Sequence, residues 1–218
     1  PAIRVLALGL EAQRLHLQPT TRPLLEGKLL IGSSPSGPKL RFDGKLKGLA
    51  TEYGSVRVVE LEGELIAGRL ALNANKLEGL AFGGTVQARG TLALADINNP
   101  HPVVEAAYTL EGGQLERVAA RFWQEGELAG SARAEGAFSL DGEKWELDFS
   151  AATDETKIQR LALSKVTALG QVTNSGLLLT AFDANLGQAR LGAEGSYAFS
   201  GDFAGKAHFQ QLPFEALS

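Results

Sequence analysis

A seven-residue phrase recurs three times along this chain: Ala88-Arg89-Gly90-Thr91-Leu92-Ala93-Leu94, Ala134-Glu135-Gly136-Ala137-Phe138-Ser139-Leu140 and Ala193-Glu194-Gly195-Ser196-Tyr197-Ala198-Phe199. Each copy runs Ala, charge, Gly, small, bulky apolar, small, bulky apolar. Bulky residues two apart, separated by small or polar ones, have the period of a strand lying on one apolar surface. Degenerate copies surround Gly27, Gly44, Gly63 and Gly201, so the pattern runs from end to end. A chain written this way is an extended array of strands organised around one long apolar face.

Composition narrows the reading. The 26 glycines and only 7% aromatics favour turn-rich β structure, and the 218 residues are enough for a sizeable buried surface. A net charge of −4 without any Lys/Arg cluster gives no basis for holding a polyanion, so nucleic acid is not an expected partner. With no cysteine, disulfides and thiolate metal sites are excluded together. No apolar run approaches the roughly 18 residues a membrane span needs, and no signal peptide is evident. The chain opens at Pro1 and contains no Met; the expectation is one elongated β-groove segment over residues 1–218, taken from a larger protein, with 1–112 and 113–218 as sub-units.

Along the chain, residues 3–18 alternate (Ile3, Val5, Leu6, Leu8, Leu10, then Leu15, His16, Leu17), and Gly32-Ser33-Ser34-Pro35-Ser36-Gly37-Pro38 reads as a loop. Asp43-Gly44 carries a turn signal, Asn73, Asn75 and Gly83-Gly84 flank further strands, and Asn98-Asn99-Pro100 with Pro102 marks a break. The clearest hairpin is centred on Asp141-Gly142. Before it the even positions Leu128, Gly130, Ala132, Ala134, Gly136, Phe138 and Leu140 are apolar or small; after it the odd positions Trp145, Leu147, Phe149 and Ala151 are apolar. One segment leaves the two-residue period: within 114–124, Leu115, Val118, Ala119 and Phe122 fall at i, i+3, i+4 and i+7, one face of a short amphipathic helix. Pro213-Phe214-Glu215-Ala216-Leu217 reads as the start of a second.

No catalytic constellation is visible. His16, His101 and His208 lie far apart, and His16 and His208 read as outward residues of strands. Gly32 to Lys39 is no phosphate loop, because Pro38 stands where Lys and then Ser or Thr are required. Glu146 and Asp148 share one strand face, which in a glycosidase would matter, but they sit on the polar side among basic residues and read as solvated charges. The expectation is no enzyme, no cofactor and no metal.

The short helix, the link Glu127-Leu128-Ala129-Gly130 and the Ala-Glu-Gly-Ala-Phe strand that follows resemble the AsmA-like repeat family, most closely the C-terminal regions of its translocation and assembly module (TamB) branch. The ending His208-Phe209-Gln210-Gln211-Leu212-Pro213-Phe214-Glu215-Ala216-Leu217 looks like a strand-to-helix junction of such repeats, and Val172-Thr173-Asn174-Ser175-Gly176-Leu177-Leu178-Leu179 shares their texture. The resemblance implies a β-taco, a long sheet folded lengthwise into a U-shaped gutter with a hydrophobic interior. It further implies a periplasmic segment of an inner-membrane-anchored protein of a double-membraned bacterium, moving phospholipid between membranes or assisting outer-membrane protein assembly with a TamA-like barrel.

The fold expected is therefore mostly β, an elongated antiparallel sheet folded into a U-shaped groove, with a short helix near 114–124. Phospholipid acyl chains are the expected ligand. The expected lining is Val86, Leu92, Leu94, Leu128, Phe138, Leu140, Trp145, Leu147, Phe149, Leu191, Tyr197, Phe199, Phe203 and Phe209. Two other readings stay open: a scaffold that pairs a nascent outer-membrane strand on a sheet edge, and a closed β-sandwich or solenoid. An open apolar gutter also suggests a dimer of the isolated segment.

Overall fold

The computed structural model describes residues 24–51, 54–98, 100–122 and 128–211. Twelve strands form one antiparallel sheet in strict sequence order. They are β1 (Leu24–Ser34), β2 (Gly37–Thr51), β3 (Gly54–Ile66), β4 (Arg69–Ala81), β5 (Gly84–Leu94), β6 (Pro102–Gln114), β7 (Leu128–Asp141), β8 (Lys144–Ile158), β9 (Leu161–Thr173), β10 (Gly176–Leu186), β11 (Ala189–Ala198) and β12 (Phe203–Gln210). Among the described residues one helix, α1 (Leu115–Phe122), interrupts the meander, yet β6 and β7 on either side of it pair directly. The sheet is open and curled. Among the described residues no strand pairs with the outer side of β1 or of β12.

Most turns are as short as a hairpin permits. Ala67 and Gly68 join β3 to β4 with φ of 48° and 79°, the doubly left-handed geometry whose twist matches a right-handed strand pair. The expected turn at Asp141-Gly142 is present, Gly142 having φ 62°. The expected break near Asn98 is the connection between β5 and β6, with Pro102 opening β6. Three other sequence expectations are corrected. The stretch from Gly32 to Pro38 is not a loop: β1 runs to Ser34 and β2 starts at Gly37, leaving only Pro35-Ser36 between them. Asp43-Gly44 lies in the middle of β2, and Asn73 and Asn75 lie inside β4. Turn-forming residue types are tolerated there because Asp43 and Asn73 point to water, while Gly44 meets Gly27 across the β1–β2 pair. The helix lies where its periodicity placed it, with Gln114 belonging to β6 instead; Trp123, Gln124 and the Pro213 segment fall outside the described residues.

The direction of the curl is legible in pairs of identical neighbours. Ala106 is half-buried and Ala107 exposed; Ala88 is half-buried and Ala93 exposed. Side-chain size cannot cause these differences, so the face carrying Ala88 and Ala106 is the crowded, concave one. Glycines in mid-strand make that concavity. A methyl group on Gly90 would stand 2.8 Å from the Ala106 Cβ atom, far inside the spacing of ordinary cross-strand neighbours, which is about 4.5–5.5 Å. Gly27, Gly44, Gly136 and Gly170 are similarly crowded by the neighbouring strand. The recurring phrase thus places a glycine where the sheet bends towards its apolar side.

Candidate apolar groove

Register carries one apolar row across every strand. Gly27, Gly44, Leu61, Ala74, Gly90, Ala106, Phe138, Leu147, Val172, Leu177, Tyr197 and Phe203 are successive cross-strand partners from β1 to β12. A parallel row on one side contains Leu72, Leu92, Val104, Leu140 and Trp145. Another, on the other side, contains Val86, Leu110, Ala134, Ala151, Ala168, Phe182 and Ala193. Since paired residues share a face, these rows run side by side across the strands on one face of the sheet.

The expected lining residues distribute over it as follows. Val86, Leu92, Phe138, Leu140, Trp145, Leu147, Tyr197 and Phe203 occupy the rows just described. Leu94 pairs with Leu70 and Pro102, and Phe149 pairs with Gly170. Phe199 lies just past the end of β11, its ring edge-on to Tyr197 at 6.1 Å. Leu191 pairs with Phe209 and also packs against a small closed cluster of Leu163, Val166 and Ala184. Leu128 pairs with Ile158, which packs against the same cluster. Sequence reading missed Phe42, Leu61, Leu72, Val104, Tyr108, Val172 and Leu177. Their alternation was visible, but only the register shows that they adjoin the others.

Outside that cluster the apolar surface has little covering it. No large side chain among the described residues is fully buried, and Tyr197, Phe203 and Phe209 are 43%, 76% and 58% exposed. Among the described residues there is no second sheet to close a sandwich over this face.

Tyr108, on the floor beside Gly136, is half-buried. Its hydroxyl donates to the main-chain oxygen of Asp148 at 3.1 Å. Burial, and secondarily the negative charge of Asp148, push its pKa above the ordinary tyrosine value. The helix seals one end of β7: Ala119 is buried, and Glu116 Oε1 accepts a hydrogen bond from the Gly130 amide at 3.2 Å.

The opposite face is hydrophilic. Lys45 pairs with Glu60 and Lys47 with Glu26, each at 2.7 Å, and Lys39 pairs with Glu64. Glu146 and Asp148 lie here, Asp148 accepting from Gln171 Nε2 at 3.1 Å. Shallow clefts on this side, such as one of about 700 Å³ lined by Asn73, Arg89, Thr91, Glu105 and Ser139, are the gaps between polar side chains standing on the sheet. A cleft of about 440 Å³ at the β10–β12 side takes in Leu177, Tyr197 and Phe203. His101 Nε2 lies 2.7 Å from Asp141 Oδ1 at an exposed turn, His208 is exposed on β12, and His16 falls outside the described residues. Among the described residues no group of three or more His, Asp or Glu could hold a metal ion, and no helix is long and apolar enough to cross a membrane.

No protein-family model matches this sequence, and no curated protein or solved structure is significantly similar to it. The functional reading therefore rests on the geometry of this face.

Proposed function

We propose that the groove binds lipid acyl chains and lets them travel across the strands. The observation that carries this reading is the unbroken row of apolar and small residues from Gly27 to Phe203, which no core among the described residues consumes. At about 0.8 kcal/mol per buried methylene, covering some eight methylenes of an acyl chain contributes about 6 kcal/mol. That holds a chain without trapping it. The floor offers few polar anchors, so binding is solvation by an apolar lining, and head groups remain at the open side near water.

On this proposal the protein acts as a periplasmic lipid conduit of the AsmA-like, TamB type, with phospholipid as cargo. A second reading is favoured by one feature, the outer sides of β1 and β12, with which no strand among the described residues pairs. Either edge could accept a strand of a nascent outer-membrane protein or of a TamA-like barrel.

The test is native mass spectrometry of detergent-free protein purified from bacterial cells, with lipid extraction of the same sample. Near-stoichiometric phospholipid, lost on Leu147→Asp while β circular dichroism persists, supports the conduit. An apo mass with no subsequent uptake of fluorescent phospholipid overturns it and leaves the strand-pairing reading.

A further inference from the structure

Strand β1, at the edge of the sheet among the described residues, contains the sequence Leu24-Leu25-Glu26-Gly27-Lys28-Leu29-Leu30, which reads the same in both directions except that a negative charge answers a positive one. Antiparallel pairing of two such strands about Gly27 places each residue opposite its counterpart. Glu26 meets Lys28 twice, Leu24 meets Leu30 twice, and Leu25 meets Leu29 twice. We infer that β1 is a self-recognition edge, and that two copies of this chain join there about a two-fold axis into one continuous sheet.

Three observations support a second copy as the occupant. First, Leu24 and Leu30 are 55% and 65% exposed, and both lie on the hydrophilic side of β1, alternating with Gly27 and Leu29 of the apolar side. Across the β1–β2 pair these two leucines face Lys47 and Arg41, and in this register each finds an apolar counterpart in the second copy. Second, the charges continue a pattern already present. Glu26 pairs with Lys47 within the chain, and Lys28 stands opposite Asp43. Across the axis each then gains a second neighbour of opposite sign.

Third, the neighbouring registers are disfavoured. A slip of two residues sets Glu26 against Glu26 or Lys28 against Lys28, and like charges directly opposite one another are destabilising. A slip of one sets apolar-side residues beside hydrophilic-side ones. The two-fold operation also keeps both apolar faces on one side, so the grooves would run on through the junction. The other open edge has no such property: β12 carries Lys206 and His208 but no acidic residue. This inference is independent of the lipid reading, since it concerns the strand edge and the charges of the opposite face.

Charge reversal tests it by sedimentation velocity over a concentration series at low salt. The unmodified chain is expected to dimerise. Glu26→Lys gives a strand with two lysines and Lys28→Glu one with two glutamates, so each variant alone is expected to self-associate roughly tenfold or more weakly, because both charge pairs turn repulsive. Mixing the two variants restores both attractions and is expected to give a heterodimer. Damage within either chain is the same alone and mixed, so recovery on mixing reports only the contact between chains.

Because the chain has no cysteine, a Leu24→Cys protein mixed with a Leu30→Cys protein under mild oxidation is expected to form a disulfide-linked pair. A chain that stays monomeric at every concentration overturns the inference, whether the β1 edge is left bare or is covered by residues 1–23. Dimers indifferent to both reversals, or dimers whose mixed variants fail to recover, overturn it equally.

Discussion

Tyr108 reaches over Gly136 to the strand beyond it. The two residues are direct partners in the β6–β7 pair, and the Tyr108 hydroxyl donates to the main-chain oxygen of Asp148 in β8, 3.1 Å away. That same oxygen is the first atom a methyl group on Gly136 would strike. The missing side chain therefore does two things. It lets the sheet bend towards its apolar face, and it lets an aromatic ring lie across the bend.

Glycines at the bend are accordingly expected to resist substitution, while a strand glycine with open space around it and an ordinary backbone conformation is not. A methyl on Gly170 would lie 2.7 Å from Phe149 Cζ, whereas one on Gly32 would meet nothing within 4 Å. Gly136→Ala and Gly170→Ala should each lower stability by about 1–3 kcal/mol in denaturant titrations. Gly32→Ala should stay within about 0.5 kcal/mol of the parent. Equal effects at all three positions would remove the bend as the reason for the recurring glycine.

This also explains how far the sequence could be read. Period-two alternation, the helical face of Leu115, Val118 and Ala119 and the Asp141-Gly142 turn are local properties, and each lies where local rules put it. Gly44 was misread because a glycine after an aspartate looks the same at a turn and at a bend. What distinguishes them is the neighbour across the pair, here Gly27, and that is non-local information. The groove row is hidden for the same reason: Phe138 and Leu147 were visible as apolar, but their adjacency to Val172 and Leu177 follows only from register.

Apolar residues on this face should divide into two stability classes. Val166 belongs to the closed cluster with Leu163 and Ala184 and is 7% exposed, whereas Leu147 is half-buried on the open floor. An unpaired carboxylate at Val166 has no water to solvate it, so Val166→Asp should cost about 3 kcal/mol or more and disorder β9 to β11. Leu147→Asp should cost less than half as much, its carboxylate reaching water across the open groove. Thermal melts followed by circular dichroism separate the two. Comparable loss at both positions would mean that the floor around Leu147 is a packed core.

The raised pKa of Tyr108 makes a signed prediction about alkaline stability. The unfolded tyrosine loses its proton near pH 10, while the folded one holds it to higher pH because burial disfavours the phenolate. Above pH 10 the native state thus binds more protons than the unfolded state, and stability falls as pH rises. Below pH 10 the contribution is fully present. Denaturant titrations between pH 9 and 11 should show a steeper decline in the parent than in Tyr108→Phe, with the difference opening only above pH 10. Curves that stay parallel throughout would mean that the folded and unfolded phenols titrate alike.

The docking of α1 predicts a local effect with a distant control. Ala119 is buried where the helix meets β7, and Glu116 ties the same helix to the Gly130 amide, so the start of β7 is held by both. Ala119→Glu brings a charge and added volume into a site sized for a methyl group, and α1 should swing away rather than bury the carboxylate. Hydrogen exchange should then accelerate by about tenfold or more at Leu128 to Ala132, which lose the helix, whereas β2 and β3, with which the helix shares no substantial contact, keep their protection. Ala120→Glu, one residue on and exposed, adds the same charge to the same helix and should leave exchange at β7 unchanged. If both substitutions accelerate exchange at β7 equally, the helix is held by its net charge and not by the packing of Ala119.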